Sequence, residues 1–315
     1  MSDLNNFSPE ISTNENLAII EPNTSDNAST KEFADHSSII MPQIFVPMQE
    51  ECLTCNSNIS NDYVYVIGSI KPDFPTLDIK NEFNQAAGRL STVVSDDYLY
   101  YAVLSQDENV NISRDMCWLL QVDGNIDTYI IQPRTYPELY EMVGSTKPSA
   151  GKTKYVVAIG LKGPIAPPQR CNNAQLPLLL CNQIYSFTQE DFVSHVSSSI
   201  SVDESVVLSM FKKMLQLSDN AGNTDAHRAV NYLTIKYDGI YIMAGEMMSS
   251  HHNPHTFVDL SVKPSDAQGD RNIVDVIFRF EERKTGKTIY WFCRVDVTGQ
   301  FPFLVNKISR YYPGP

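Results

Sequence analysis

The sequence has little positive charge, few cysteines and no long apolar run. Its 315 residues contain 24 Lys and Arg against 37 Asp and Glu, which gives a formal net charge of −13. Phosphate backbones require a basic surface, so this balance argues against nucleic acid as a partner. No run approaches the roughly 18–20 apolar residues that span a bilayer, and no basic segment followed by an apolar one opens the chain. We therefore expect a soluble, cytoplasmic protein that acts without a membrane.

Familiar catalytic signatures are also absent. The sequence has no P-loop, no dinucleotide-binding G-x-G-x-x-G, no H-E-x-x-H of zinc proteases and no G-x-S-x-G nucleophile elbow. Nucleotide-dependent, NAD-dependent and serine-hydrolase activities therefore lack their usual sequence support. We leave open whether the protein is an enzyme and favour the interpretation that it is not.

The cysteines are too few for a disulfide framework in a chain of this length. The six are Cys52, Cys55, Cys117, Cys171, Cys181 and Cys293. Cys117 lies in the apolar run 116–120, where a reduced thiol packs like a small apolar side chain. We therefore predict reduced, buried thiols, as is usual in the cytosol.

Cys52 and Cys55 form a C-x-x-C pair. This spacing allows two thiolates to bind one metal ion, and it also suits a redox pair. A structural zinc site normally has four ligands, and the sequence offers no second such pair. Three interpretations stay open: two inert thiols, half of a structural zinc site completed by a distant cysteine or a second subunit, and a redox pair.

Composition divides the chain into a tail and two folded parts. Residues 1–50 contain eight acidic residues and a single basic one, Lys31. A segment this polar cannot bury enough apolar surface to offset its ordering entropy, so we predict a disordered acidic tail at 1–48. A Ser-rich passage at 188–202 predicts a short helix and a linker. We place the boundary there, which gives a first domain at 49–190 and a second at 191–315.

Hydrophobic periodicity predicts an α+β fold, with two small mixed domains, largely antiparallel sheets and packed helices. The turn 284–287 between two apolar segments predicts a hairpin. Three prolines in the segment 163–168 argue against both a helix and a ladder strand there. The predicted strands are 63–68, 118–122, 127–132, 155–161, 176–187, 257–262, 272–282 and 288–297, and the predicted helices are 77–87, 99–104, 136–144, 203–217, 225–248 and 303–311.

The candidate binding site centres on the segment 219–232, where polar and ionisable residues gather at a predicted helix start. Thr224 is placed to cap the helix and Asp225 to complement its positive end. One interpretation is structural, with polar side chains that satisfy nearby backbone groups. The other is a recognition surface. Its candidate binding residues are Asp219, Asn220, Asp225, His227, Arg228 and Asn231, together with Arg170 just after the proline-rich segment.

A metal-assisted enzyme that acts on a peptide is an alternative from another class. His227 with Asp225 is the kind of pair that serves in general base catalysis. The pair His251 and His255 has H-x-x-x-H spacing, but the proline between them favours a loop, and Asp259 is the only acid nearby. A third alternative is a self-association module that forms a homodimer.

Several blocks in the sequence carry a family resemblance: 64–75, 102–106, 129–134, 163–168, 219–232, 272–278 and 294–305. They resemble the region that follows the protease domain in PatG-type cyanobactin maturation proteases. The blocks occur in the same order and form two consecutive modules, a PatG domain and a PatG C-terminal domain.

The resemblance implies an accessory role in the maturation of ribosomally made peptides. Proteases of this type cut precursor peptides and macrocyclise them with an Asp-His-Ser triad in the protease domain. The Ser motif of that triad is absent from this sequence, so no catalytic residue is carried over. A precursor peptide or a maturation protease is the partner that the resemblance implies.

Overall fold

The computed structural model describes residues 62–88, 95–122, 125–216, 220–250, 254–267 and 269–314. Helices and strands have similar total lengths within these residues, and one mixed and one antiparallel sheet confirm the α+β fold. The elements are β1 (Tyr63–Asp73), α1 (Leu77–Gly88), α2 (Asp96–Leu104), a 3-10 turn (Asp107–Asn109), α3 (Val110–Asp115), β2 (Cys117–Val122), β3 (Ile126–Ile131), α4 (Tyr136–Ser145), β4 (Lys154–Ile165), β5 (Pro177–Thr188), α5 (Gln189–Ile200), α6 (Glu204–Leu215), α7 (Asp225–Lys236), α8 (Gly239–Met248), β6 (His255–Pro264), β7 (Ile273–Glu282), β8 (Thr288–Asp296) and β9 (Phe303–Tyr311).

The first five strands close into a barrel in the order β1-β2-β3-β5-β4. All neighbours are antiparallel except β3 and β5, which run parallel. That parallel contact has two residue pairs, Ile130 with Leu178 and Ile131 with Leu179. The barrel is therefore closed by a short contact at the end of β3, and the chain leaves the ladder at Gln132.

The last four strands form an antiparallel sheet in the order β6-β7-β8-β9. Helices α5 to α8 cover one face of this sheet and share an apolar core with it, in which Phe211, Met210 and Phe278 are fully buried. A second core lies between the barrel strands and α1 to α4, around Trp118 and Phe83. No helix in the described part of the chain is long and apolar enough to cross a membrane.

The predicted cap at Thr224 is confirmed, and Thr76 caps α1 in the same way. The Thr76 hydroxyl accepts a hydrogen bond from the Ile79 backbone N–H at the start of α1, at 3.3 Å. The Thr224 hydroxyl accepts one from the His227 N–H at the start of α7, at 3.1 Å. Each cap satisfies one of the N–H groups that a helix start leaves without an intrahelical partner. α7 thus begins where the sequence predicts it.

The proline-rich segment was wrongly excluded from the sheet. β4 continues through Pro164 to Ile165, which pairs with Pro177 after a shift in register. A proline is tolerated where a ladder is irregular, because no donor is needed there. Only the residues from Ala166 onward leave the strand, and the Ala166 N–H then donates to the Leu176 carbonyl at 2.9 Å.

The predicted helix at 303–311 is also wrong, since these residues form β9. Exposed and half-buried positions alternate along most of the strand, which is the period of two that a one-sided strand requires.

The predicted helix that ends near 248 is two helices, because α7 ends at Lys236 and α8 begins at Gly239. The short helix predicted within 188–202 is α5, which occupies most of the segment predicted to be a helix and a linker, and it follows β5 directly because Thr188 ends the strand and caps the helix.

Candidate functional site

The start of α7 is joined to the barrel through two buried asparagines. Asn220 and Asn231 exchange side-chain hydrogen bonds of 2.7 and 3.0 Å, and the Asn231 Nδ2 also donates to the Tyr65 carbonyl at 2.7 Å. Both asparagines are buried. The two side-chain amides therefore hydrogen-bond to each other and to a backbone carbonyl of β1, which leaves few of their donors and acceptors for a partner.

Arg228 joins α7 to the loop after β8. Its guanidinium donates to the Val297 carbonyl at 2.7 Å and to the Gly299 carbonyl, and it lies 5.3 Å from the Tyr63 ring centre. Its side chain is 4% exposed, whereas that of Asp225, 3.5 Å away, is 46% exposed. Burial lowers the pKa of Arg228, and the Asp225 carboxylate opposes that shift. Burial also raises the pKa of Asp225, against the effect of Arg228.

The backbone before α7 approaches β1 closely. The Tyr65 N–H donates to the Gly222 carbonyl at 2.9 Å, and the Tyr129 hydroxyl donates to the Ala221 carbonyl at 2.8 Å. Gly222 has φ of +70°, and a Cβ there would lie 2.4 Å from the Tyr65 carbonyl oxygen. Only glycine fits both the left-handed backbone and this approach. The segment before α7 is thus built to hold barrel and helix together.

The remaining candidates around α7 are dispersed. Asp219, His251 and His252 lie outside the described residues. His255 is buried at the start of β6. His227 and Asp225 stand in the first turn of α7. Among the residues that the structure describes, no group of three His, Cys, Asp or Glu side chains is placed to hold a metal ion.

A second candidate surface lies where β3 leaves the barrel ladder. A groove of about 390 Å³ is lined there by the end of α3, the end of β3 and the loop after β4. Arg170, a predicted binding residue, projects from that loop, and its guanidinium donates to the Gln132 side-chain oxygen at 2.5 Å. Arg114, at the end of α3, lines the same groove. The structure thus brings Arg170 to a concave surface that is separate from the start of α7. We name this concavity the arginine groove.

The family follows from two sequence profiles. One, described as "PatG Domain", matches residues 63–249, and another, described as "PatG C-terminal", matches residues 197–311. The chain belongs to the PatG-domain family. The resemblance noted in the sequence is thereby confirmed.

A solved structure titled "PatG Domain of Unknown Function" is similar to this PatG-domain chain. The two share 16% sequence identity with a TM-score of 0.60, over 80% of this chain and 99% of the other. At that identity the likeness shows the fold alone. Among curated proteins, none matches the chain.

The prediction that all thiols are reduced is wrong for this PatG-domain chain. Cys117 and Cys171 form a disulfide, with Cα atoms 5.5 Å apart and a sequence separation of 54. Both lie in a small apolar cluster with Leu119 and Ala166. Cys117 and Leu119 lie on the opposite face of β2 from Trp118 and Leu120, and the loop after β4 packs onto that face, which sequence spacing does not reveal. The bond holds the wall of the arginine groove against the barrel.

Two other cysteines should be chemically inert. Cys181 and Cys293 are free and buried, and burial raises the pKa of each thiol to about 12. The reactive species is the thiolate, so the native protein should leave both unmodified by iodoacetamide near neutral pH. Denaturation without reductant should expose both to alkylation. Peptide mass mapping measures this, and rapid native labelling of either residue would contradict the burial.

Two further arginines at or beside the groove were not predicted as site residues. Arg114 lies in the last turn of α3, and Arg134 follows Pro133 and lines an adjoining cleft of about 220 Å³. Arg134 ends the block 129–134, but neither arginine carries a chemical signature, and only the fold brings them near Arg170. Cys52 and Cys55 lie outside the described residues, so the zinc half-site stays a prediction.

Proposed function

We propose that the chain is a non-catalytic binding module, which holds a precursor peptide or a maturation enzyme during the biosynthesis of a ribosomally made peptide. The observation that carries the proposal is the arginine groove, an open concavity of about 390 Å³ beside the loop after β4. Family membership supplies the biosynthetic context. The groove supplies a surface of a size that peptide side chains fill.

The wall of the groove is held firmly in place. The disulfide fixes Cys171 to β2. Inside the loop, the Arg170 N–H donates to the Pro167 carbonyl at 3.0 Å, and the Asn173 N–H donates to the Pro168 carbonyl at 2.9 Å. A surface that is ordered before binding loses less conformational entropy when a partner arrives. Such rigidity favours recognition.

The start of α7 is a weaker candidate for the same role. Arg228, Asn220 and Asn231 direct their polar groups into the protein. Asp225 keeps nearly half of its side chain exposed. Replacing Asp225 and His227 together by alanine therefore tests whether this end of the helix also contributes to binding.

Capture of partners from native lysate tests the proposal. Tagged wild-type protein should recover a precursor peptide or a maturation enzyme, as identified by mass spectrometry, and Arg170→Glu should recover less of it by about tenfold or more. Arg283→Glu, at an exposed position in the β7–β8 hairpin, is the matched control and should behave as wild type.

Recovery of the protein alone, or only of further copies of itself, would count against the binding module and favour self-association. Loss of the partner in the Asp225 and His227 double variant, with Arg170→Glu unaffected, would move the binding surface to α7.

A cytoplasmic location stays a prediction. Disulfides are rare in the cytosol, so the bond between Cys117 and Cys171 removes the cysteine argument for that location.

A further inference from the structure

We infer that the arginine groove recognises the carboxylates of an acidic peptide segment, with Arg114 and Arg170 as the side chains that contact them. The inference rests on the proposed binding function and names the chemistry of the partner. The groove contains a local excess of positive charge, it has guanidinium nitrogens left for a ligand, and it has the shape for an extended chain.

The groove carries an excess of positive charge, whereas the protein as a whole is negatively charged. The chain carries a formal net charge of −13, yet Arg114 and Arg170 line the groove with a single carboxylate, Asp115. The adjoining cleft, which shares Arg114 and Pro133 with the groove, adds Arg134, and none of the described residues that line it is acidic. A concave surface with this charge attracts anions.

The two arginines of the groove have hydrogen-bonding capacity left over. Arg114 is 58% exposed, and its Nε contacts the Asp115 carboxylate at 3.3 Å. Arg170 is exposed and uses one terminal nitrogen on Gln132. In the hydrogen bonds among the described residues, each guanidinium thus uses one nitrogen. Arg228, in contrast, is buried, and its guanidinium already donates to the Val297 and Gly299 carbonyls.

Guanidinium groups are suited to carboxylates. Their planar fork matches the two oxygens, and the paired hydrogen bonds are stronger than those between neutral groups. Arg134 is less available, because it donates to the Cys181 carbonyl and to the Asn182 side chain, and it lies near Glu138. We therefore assign the main contacts to Arg114 and Arg170 and give Arg134 a place at the margin.

The shape and the apolar lining favour a peptide over a small free anion. Ile130, Ile131 and Met116 line the groove, although each is at most 6% exposed, and the 60% exposed Tyr136 continues the apolar surface into the adjoining cleft. The two concavities share Arg114 and Pro133, so they are adjacent, and a peptide of several residues can reach from one to the other. A segment that alternates acidic and apolar residues fits this sequence of charged and apolar lining.

Binding of three labelled decapeptides to the purified full chain tests the inference. The probes alternate Leu with Glu, with Gln or with Lys, and fluorescence anisotropy reports their affinities. The Glu peptide should bind about tenfold or more tightly than the Gln peptide, since hydrogen bonds to charged groups exceed those to neutral ones. Its affinity should fall as salt rises.

The variants locate the binding. Arg114→Gln with Arg170→Gln should weaken the Glu peptide about tenfold or more and leave the Gln peptide nearly unchanged. Arg283→Gln is the matched control, because it removes an exposed arginine from the turn between β7 and β8. Both substitutions are on the surface, and circular dichroism with thermal unfolding verifies that the variants fold as wild type.

Each other outcome overturns the inference in a different way. Equal binding of the Glu and Gln peptides would refute the carboxylate chemistry and leave peptide binding standing. Unchanged affinity in the double variant would place the acidic peptide elsewhere. Displacement of the Glu peptide by inorganic phosphate at lower concentrations than by free glutamate would assign the groove to phosphate. No binding of any probe, with no partner captured from lysate, would overturn the inference and the proposed function together.

Discussion

Loss of the Cys117–Cys171 disulfide should destabilise the protein more than most single changes in its core. The two cysteines are 54 residues apart in sequence, and the loop-entropy relation gives a stabilisation of about 4 kcal/mol for a loop of that size. The variant with both cysteines replaced by alanine should therefore unfold at a temperature lower by about 8 °C. Differential scanning calorimetry measures the change.

A reductant provides the matched control for this prediction. A phosphine that reduces disulfides should lower the unfolding temperature of wild type towards that of the double alanine variant, and it should leave the variant itself unaffected. The same unfolding temperature for wild type with and without reductant would contradict a stabilising bond. Non-reducing peptide mapping verifies that Cys117 and Cys171 are linked in the starting material.

Local signals in the sequence predicted most of the elements of the fold. β1 and β7 are rich in β-branched and aromatic residues, and the caps at Thr76 and Thr224 mark their helices. Such features depend on neighbours in the chain, so they can be recognised without the fold. The two helices α7 and α8 merged in the prediction because the break at Tyr237 to Gly239 is short.

Features that depend on distant contacts were not predictable. β9 was predicted as a helix, whereas its pairing with β8, which has register shifts on both sides of Arg294, makes it a strand. The disulfide needs the loop after β4 to fold back on β2, and no spacing rule encodes that path. The arginine groove is assembled from α3, β3 and the same loop, which are far apart in the chain.

The segment 219–232 shows how a functional motif and a structural one look alike in sequence. Its density of polar residues predicted either a recognition surface or a satisfied helix start. Asn231 and Arg228 are among its least exposed residues, and their partners are carbonyls of Tyr65, Val297 and Gly299. In the sequence, a polar side chain that binds a distant backbone group looks the same as one that is exposed, so the fold is needed to distinguish them.

Replacing Arg228 by methionine should be the most damaging single substitution at the start of α7. Methionine keeps the length of the side chain but leaves the Val297 and Gly299 carbonyls without their donor. A buried acceptor that loses its partner costs about 1–3 kcal/mol, and the Gly299 carbonyl lies in an exposed residue where water replaces the donor, so the free energy of unfolding should fall by about 1–3 kcal/mol. Chemical denaturation measures this difference.

Two further variants separate the causes of that loss. Arg228→Lys keeps the charge but lacks the fork that reaches both carbonyls, so its stability should lie between those of wild type and Arg228→Met. Asp225→Asn removes a half-exposed partner 3.5 Å away and should change stability by less than about 1 kcal/mol. If Arg228→Met unfolds like wild type yet no longer captures the partner, Arg228 is a binding residue, because a side chain that only supports the fold cannot be lost without lowering stability.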